Sequence, residues 1–116
     1  MAEKWTREQL RLEIGQHFMA GLDSTELTPE MERFLAEYRI GNIILFKHNV
    51  ESGAQLRLLC ADVQACVRKH TGHGALIAID QEGGPVTRLS GDSVNVPGAM
   101  AVAAAGGPEL ARRAGQ

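Results

Sequence analysis

The chain has 116 residues, of which 44% are hydrophobic and 4% aromatic, and its 12 lysines and arginines against 14 acidic residues leave a net charge of −2. This is the composition of one ordinary soluble domain, without the basic excess that nucleic-acid binding or a polybasic membrane anchor requires. No apolar run approaches the roughly 20 residues of a membrane span, so we expect neither nucleic acid nor membrane among its partners.

Two amphipathic helices are predicted before the first strand. Thr6-Arg7-Glu8-Gln9 is a capping box, and a helix of about 15 residues should follow it, with Gly21 helping to end it. Its apolar face comprises Leu10, Ile14, Phe18 and Leu22. Thr28-Pro29 marks the start of the second helix, since proline is tolerated at the first helical position, and Gly41 marks its end.

Two short apolar runs have the pattern of buried parallel strands. Residues 42–46 form the first and residues 75–80 the second, and both are apolar on both faces. A helix is predicted between them, from its N-cap at Ser52 to Gly72, which completes a right-handed βαβ unit. Because two parallel strands do not close a sheet, we interpret residues 1–116 as the opening part of a larger α/β domain.

Most of the remaining sequence is rich in residues typical of loops. Glycine and proline clusters follow Asp80 and recur around Ser90-Gly91-Asp92, and a further helix start is predicted at Gly107-Pro108-Glu109.

Cys60 and Cys66 lie six residues apart in one predicted helix, which places them on different faces and argues against a disulfide. With no apolar signal segment at the N-terminus, reduced thiols favour a cytoplasmic protein.

The strongest candidate for a binding residue is Asp80. It ends a buried strand and precedes Gly83 and Gly84, and binding sites of α/β folds lie where such strands end. Arg88 follows across the glycine turn, close enough to return to the same pocket as a ligand for a hydroxyl or carboxylate. The alternatives are that Asp80 caps loop amides and Arg88 forms a surface ion pair. Glu82 could pair with Asp80, although a structural role is the commoner one.

The sequence assigns no functional role to the histidines. His48 follows the first strand and stays unassigned, whereas its neighbour Asn49 is predicted to hold the turn together. His70 and His73 are spaced i, i+3, but no third strong ligand lies near them in the sequence and they precede the second strand, at the end opposite Asp80. We therefore predict no metal site and no cofactor, and nucleotide-binding and serine-hydrolase motifs are missing.

Several of these segments resemble the N-terminal part of family 3 glycoside hydrolases, and most closely the bacterial β-N-acetylhexosaminidases. They are Ile14-Gly15-Gln16, Leu27-Thr28-Pro29-Glu30, Gly41-Asn42-Ile43-Ile44-Leu45-Phe46 and Ala78-Ile79-Asp80-Gln81-Glu82-Gly83-Gly84. The resemblance implies a truncated (β/α)8 barrel: two leading helices, strand 1, helix 1, strand 2 and the start of helix 2. It departs from the family at Pro85, where an arginine is usual.

The resemblance also implies a function. Asp80 and Arg88 would bind hydroxyls of the terminal sugar, while the nucleophile and the acid/base lie beyond this chain, so no catalytic residue is assigned in it. The expected activity of a full-length protein is the retaining hydrolysis of terminal β-linked N-acetylglucosamine in peptidoglycan recycling, without metal or cofactor. The alternatives are a family 3 β-glucosidase or related exo-glycosidase, and an inactive truncated sugar-binding or interaction protein.

Overall fold

The computed structural model describes residues 4–89, 91 and 93–116; the loop assignment of Ser90 and Asp92 lies outside them. The helices and strands alternate along the chain. In order they are α1 (Arg7–Gln16), β1 (Met19–Gly21), α2 (Pro29–Tyr38), β2 (Asn42–Leu45), a 3-10 turn (Lys47–Asn49), α3 (Gly53–Thr71), β3 (Leu76–Ile79) and α4 (Ala99–Ala114).

Three strands form one parallel sheet in the order β1-β2-β3. Ala20 pairs with Ile43, and Ile43 pairs on its other side with Ile77. Parallel pairing of strands that are consecutive in the chain requires a crossover between each pair, and α2 and α3 are those crossovers. The expected α/β class is confirmed, and all three strands end at the same edge of the sheet.

The first helix is shorter than predicted, and the prediction of only two strands is wrong. α1 ends at Gln16, and Met19–Gly21 is a strand instead of the continuation of the helix. Contacts with residues distant in the chain explain the difference. The Asn42 side chain donates a hydrogen bond to the Gln16 carbonyl at 2.7 Å, and the backbone of Met19–Gly21 pairs with β2. Phe18 and Ile14 of the expected apolar face are more than half exposed.

The core lies where α2 and α3 pack on the central strand. Ile43 and Leu45 of β2 are almost completely buried, and the helices cover them with apolar side chains at helical spacing. The cluster of buried residues comprises Leu22, Leu35, Ile40, Ile43, Leu45, Leu59, Val63, Cys66 and Val67. Leu35 comes from α2 and four of the members come from α3, so α3 contributes more of the core than any other element.

The strand β3 is less buried than its sequence predicts. None of its four residues is fully buried, and Leu76 is 63% exposed. β3 is the last strand in the order of this sheet, so only one of its edges is paired among the described residues. The side chains of this apolar strand are therefore only partly buried.

The helix ends follow the predicted caps more closely than the predicted stops. Thr6, Thr28 and Ser52 each accept from the backbone N–H three residues on, as predicted. α2 ends before Gly41, because Arg39 takes the left-handed conformation at its C-cap. Within α4, Gly107 is non-helical with a φ of +55° and divides it into two helical segments, and the second begins at Pro108, where the sequence predicts a helix start. None of the described helices combines the length and hydrophobicity needed to cross a membrane.

Candidate functional site

The candidate site lies at the edge of the sheet where the strands end. Asp80 follows β3 directly, and Lys47 comes two residues after the end of β2. Because the strands are parallel, both residues reach the same edge, which is where parallel α/β folds place their ligands. The structure thus supports the position that the sequence predicts for Asp80.

Arg88 returns to Asp80 across the glycine turn. Its Nη2 atom lies 3.9 Å from Oδ2 of Asp80, and the side chains are 26% and 43% exposed, respectively. The guanidinium Nε is buried without a hydrogen-bond partner among the described residues. A partly exposed carboxylate and a partly exposed guanidinium thus lie side by side, an arrangement suited to a hydroxyl-bearing ligand that both accepts and donates.

The segment that carries Arg88 is held by side chains from the loop after β3 and from the 3-10 turn after β2. Gln81 Oε1 accepts from the backbone N–H of Arg88 at 2.9 Å and from that of Leu89 at 3.3 Å. Lys47 Nζ donates to the Arg88 carbonyl at 3.4 Å. These contacts position Arg88 from two different elements. The sequence analysis did not single out Lys47, which also lines a polar cavity of about 490 Å³ together with Thr87 and Asn95.

Two glycines shape the turn between Asp80 and Arg88. Gly83 and Gly84 have φ values of +83° and +58°, which side-chain-bearing residues rarely adopt. A Cβ on Gly83 would stand 2.6 Å from the Val96 carbonyl oxygen. The backbone N–H groups of Gly83 and Gly84 donate to Val86 and Val96, respectively, so the turn is fixed against the segment before α4.

We expect Gly83→Ala to loosen this turn. The left-handed conformation costs an alanine about 1–2 kcal/mol, and its methyl group would also push against the Val96 carbonyl. Hydrogen–deuterium exchange should therefore become faster at the amide of Gly84, whose bond to Val96 is 2.9 Å long. Gly91→Ala is the matched control, because a Cβ there meets nothing within 4 Å. Equal exchange at Gly84 in both variants would contradict this account of the turn.

The residues after β2 brace the loop that follows β1. Asn49 is fully buried, and its Nδ2 donates to the carbonyls of Leu22 and Ser24 at 3.0 and 2.8 Å. Its Oδ1 accepts from the backbone N–H of Phe46, which confirms the prediction that Asn49 holds the turn. His48 Nε2 lies 2.8 Å from the Leu22 carbonyl oxygen, so this histidine is tied to the same loop.

The remaining predicted residues have other surroundings. Glu82 is exposed, and its backbone N–H donates to Val86. His70 and His73 precede β3, at the opposite end of that strand, as the sequence predicts. A second cavity of about 610 Å³ lies against α4 and is lined mainly by apolar residues, with neither Asp80 nor Arg88 in its wall. The Asp80 edge therefore remains the better candidate for a polar ligand.

Known proteins resemble this chain over most of its length. Residues 9–116 match the model of the glycosyl hydrolase family 3 N-terminal domain. A β-hexosaminidase of Pseudomonas aeruginosa (strain LESB58) is 39% identical over 85 residues, which are 73% of this chain and 24% of that protein. A β-hexosaminidase of Thioalkalivibrio sulfidiphilus is 36% identical over 103 residues, 84% of this chain and 28% of that protein. The chain thus spans about a quarter of these curated relatives.

Solved structures show the same similarity. A family 3 β-N-acetylglucosaminidase from Paenibacillus sp. str. FPU-7 superposes with a TM-score of 0.84 at 40% identity, covering 90% of this chain and 20% of that one. NagZ from Neisseria gonorrhoeae, solved with N-trifluoroacetyl-D-glucosamine, gives a TM-score of 0.68 at 31% identity and covers 83% of this chain and 27% of its own. The three-stranded parallel arrangement is thus shared with much longer proteins.

Proposed function

The chain belongs to glycosyl hydrolase family 3, as an N-terminal domain segment, and from this membership we propose that it forms the first part of a (β/α)8 barrel over residues 1–116. In that barrel it supplies part of the pocket for the terminal sugar of a β-N-acetylhexosaminidase. The observation that carries the proposal is the pairing of Asp80 with Arg88 at the carboxyl edge of the sheet. Active sites of (β/α)8 barrels lie at this face.

Recognition of sugar hydroxyls suits the chemistry of this pair. A carboxylate accepts hydrogen bonds from neighbouring hydroxyls, and an arginine donates to hydroxyl oxygens. Hydrogen bonds to charged groups contribute roughly 1.5–3 kcal/mol each. The side chains of Asp80 and Arg88 are both partly exposed, so a ligand can reach both groups.

We assign no catalytic step to the described residues. A retaining glycosidase needs two carboxyl groups about 5–5.5 Å apart, one as nucleophile and the other as acid and base. The group beside Asp80 is a guanidinium and not a second carboxyl group. In this proposal the nucleophile and the acid/base belong to barrel segments outside these 116 residues.

The proposed substrate carries a terminal β-linked N-acetylglucosamine, and the proposed setting is peptidoglycan recycling in the cytoplasm. The names of the relatives support the sugar, and the free thiols of Cys60 and Cys66 suit a reducing compartment. Since we assign no described residue to recognition of the N-acetyl group, a family 3 β-glucosidase is the second candidate.

A hybrid enzyme tests the proposal. Residues 9–116 would replace the matching segment of the P. aeruginosa β-hexosaminidase, and the hybrid would be assayed on nitrophenyl β-N-acetylglucosaminide and nitrophenyl β-glucoside. We expect turnover with preference for the glucosaminide, because the chain would complete the sugar pocket. Preference for the glucoside would favour the second candidate. A folded hybrid that turns over neither substrate would contradict the proposed role.

The 116-residue chain by itself should hydrolyse neither substrate, because it is proposed to lack the nucleophile and the acid/base. The measurement compares purified chain with material from a blank expression host prepared in the same way. Turnover above that blank would show that the chemistry resides within these residues, and the assignment of Asp80 to recognition alone would be wrong.

A further inference from the structure

A cluster of three possible metal ligands lies between two helices, away from the Asp80 edge. Glu32 belongs to α2, whereas Cys66 and His70 belong to α3. One ligand atom of each side chain lies within 4.8 Å of those of the other two. We call Glu32, Cys66 and His70 the α2–α3 cluster. It takes no part in the sugar pocket proposed above.

Helix geometry explains why these side chains meet. Cys66 and His70 are spaced i, i+4 and therefore lie on one face of α3, one turn apart. Glu32 is in the first turn of α2, and α2 packs against α3. Two ligands come from one rigid helix and the third from its neighbour, so the cluster is held by the fold and not by a loop.

Two groups in the α2–α3 cluster are buried in ways that bear on metal binding. His70 Nε2 is buried without a hydrogen-bond partner among the described residues, and a buried polar atom of this kind calls for an explanation. Cys66 is buried, and burial together with the nearby Glu32 carboxylate raises the pKa of its thiol, while Lys69 acts in the opposite direction. A bound cation would stabilise the thiolate and lower the repulsion between it and the carboxylate.

We propose that the α2–α3 cluster binds a divalent transition-metal ion of the zinc class. A thiolate, an imidazole and a carboxylate are all ordinary zinc ligands, whereas Mg²⁺ and Ca²⁺ take oxygen ligands. Ligand atoms about 2.0–2.3 Å from a tetrahedral ion stand roughly 3.3–3.8 Å apart. Side-chain rotations that move the ligand atoms by about one ångström would therefore bring them from their present spacing, within 4.8 Å of one another, to the spacing around a metal ion.

Space for a fourth ligand lies beside the cluster. A cavity of about 270 Å³ is lined by Glu32, Asp62, Cys66 and Lys69 among others, and it has room for a water molecule on the metal. Lys69 Nζ lies 3.7 Å from Glu32 in an exposed ion pair, which the metal would replace. The Cys66 thiol would release its proton to solvent as the metal–sulfur bond forms.

Cobalt binding to the 116-residue chain tests this site. Co²⁺ takes similar ligands to zinc and gives a thiolate-to-metal charge-transfer absorption in the near ultraviolet. We expect this absorption to saturate with one equivalent of Co²⁺ and to disappear when Zn²⁺ is added in competition. Cys66→Ser should abolish the absorption, and Glu32→Gln should weaken cobalt binding at least about tenfold, since losses in the outer shell alone cost that much.

Matched controls separate the cluster from adventitious binding. Cys60→Ser removes the other thiol of the chain and His73→Ala removes an exposed nearby histidine, and both variants should bind Co²⁺ as the unmodified chain does. Circular dichroism of each variant checks that a loss is not unfolding, and Glu32→Gln changes only a partly exposed side chain. The proposal is overturned if the unmodified chain shows no absorption, if Cys66→Ser retains it, or if Cys60→Ser removes it.

Discussion

Replacing Asp80 with alanine in the hybrid enzyme should lower kcat/KM for the nitrophenyl glucosaminide at least about tenfold. The carboxylate lies at the end of β3 with 43% of its side chain exposed, and it is proposed to accept from two hydroxyls of the terminal sugar. Each such bond to a charged acceptor contributes roughly 1.5–3 kcal/mol, and a loss of 1.4 kcal/mol is tenfold. If the bonds tighten as the sugar ring distorts towards its transition state, kcat falls as well as affinity.

Two further variants complete this experiment. Arg88→Ala should weaken sugar binding in the same direction, because Arg88 contacts Asp80 and is proposed to share its sugar pocket. His73→Ala should leave the kinetics nearly unchanged, since His73 is exposed and precedes β3 at its opposite end. If Asp80→Ala kept normal kinetics while the well-folded His73→Ala variant lost activity, the sugar pocket would have been assigned to the wrong end of the sheet.

Leu59→Ala should lower the free energy of unfolding of the 116-residue chain by about 2–5 kcal/mol, the usual cost of such a truncation in a core. Leu59 is 2% exposed and lies in the buried cluster between α3 and the sheet. Its neighbour Leu58 is 68% exposed, so Leu58→Ala should change stability by less than about 0.5 kcal/mol. Urea unfolding followed by circular dichroism measures both. Similar midpoints for the two variants would mean that the described core does not form in solution.

Local signals in the sequence predict the helix starts correctly. Each N-cap side chain accepts a hydrogen bond from a backbone N–H only three residues away, at Thr6, Thr28 and Ser52. A segment of four residues therefore contains both partners of the bond. Asn49 holds its own turn through an equally local bond, because its Oδ1 accepts from the Phe46 backbone N–H, whereas its bonds to the Leu22 and Ser24 carbonyls are long-range and could not be predicted. Where an interaction is short-range in sequence, its partners can be identified without the fold.

Strand β1 was missed because its formation depends on a distant partner. Met19–Gly21 continues the helical spacing of the residues before it, and the strand is only three residues long. Its pairing is with Asn42, Ile43 and Ile44, more than twenty residues later. Tertiary pairing outweighs local helix propensity in such a short segment.

The two candidate sites differ in the same way, because one depends on residues close together in the sequence and the other on residues far apart. Asp80 and Arg88 are eight residues apart across a glycine turn, and their proximity follows from the turn. Glu32 and Cys66 are 34 residues apart, and only the packing of α2 on α3 brings them together. The sequence prediction of no metal site rested on ligands near His70 in the chain, so it did not consider a ligand from another helix.

The half-covered strand β3 gives the chain an open end to its sheet. Its outer backbone groups are not paired with another strand of the described residues, and its side chains are apolar but incompletely buried. Such an edge accepts a further strand from whichever chain presents one. A separately produced polypeptide whose first strand adds in parallel to β3 could therefore join the chain without a covalent link, and at high concentration two copies of the chain would compete for the same edge.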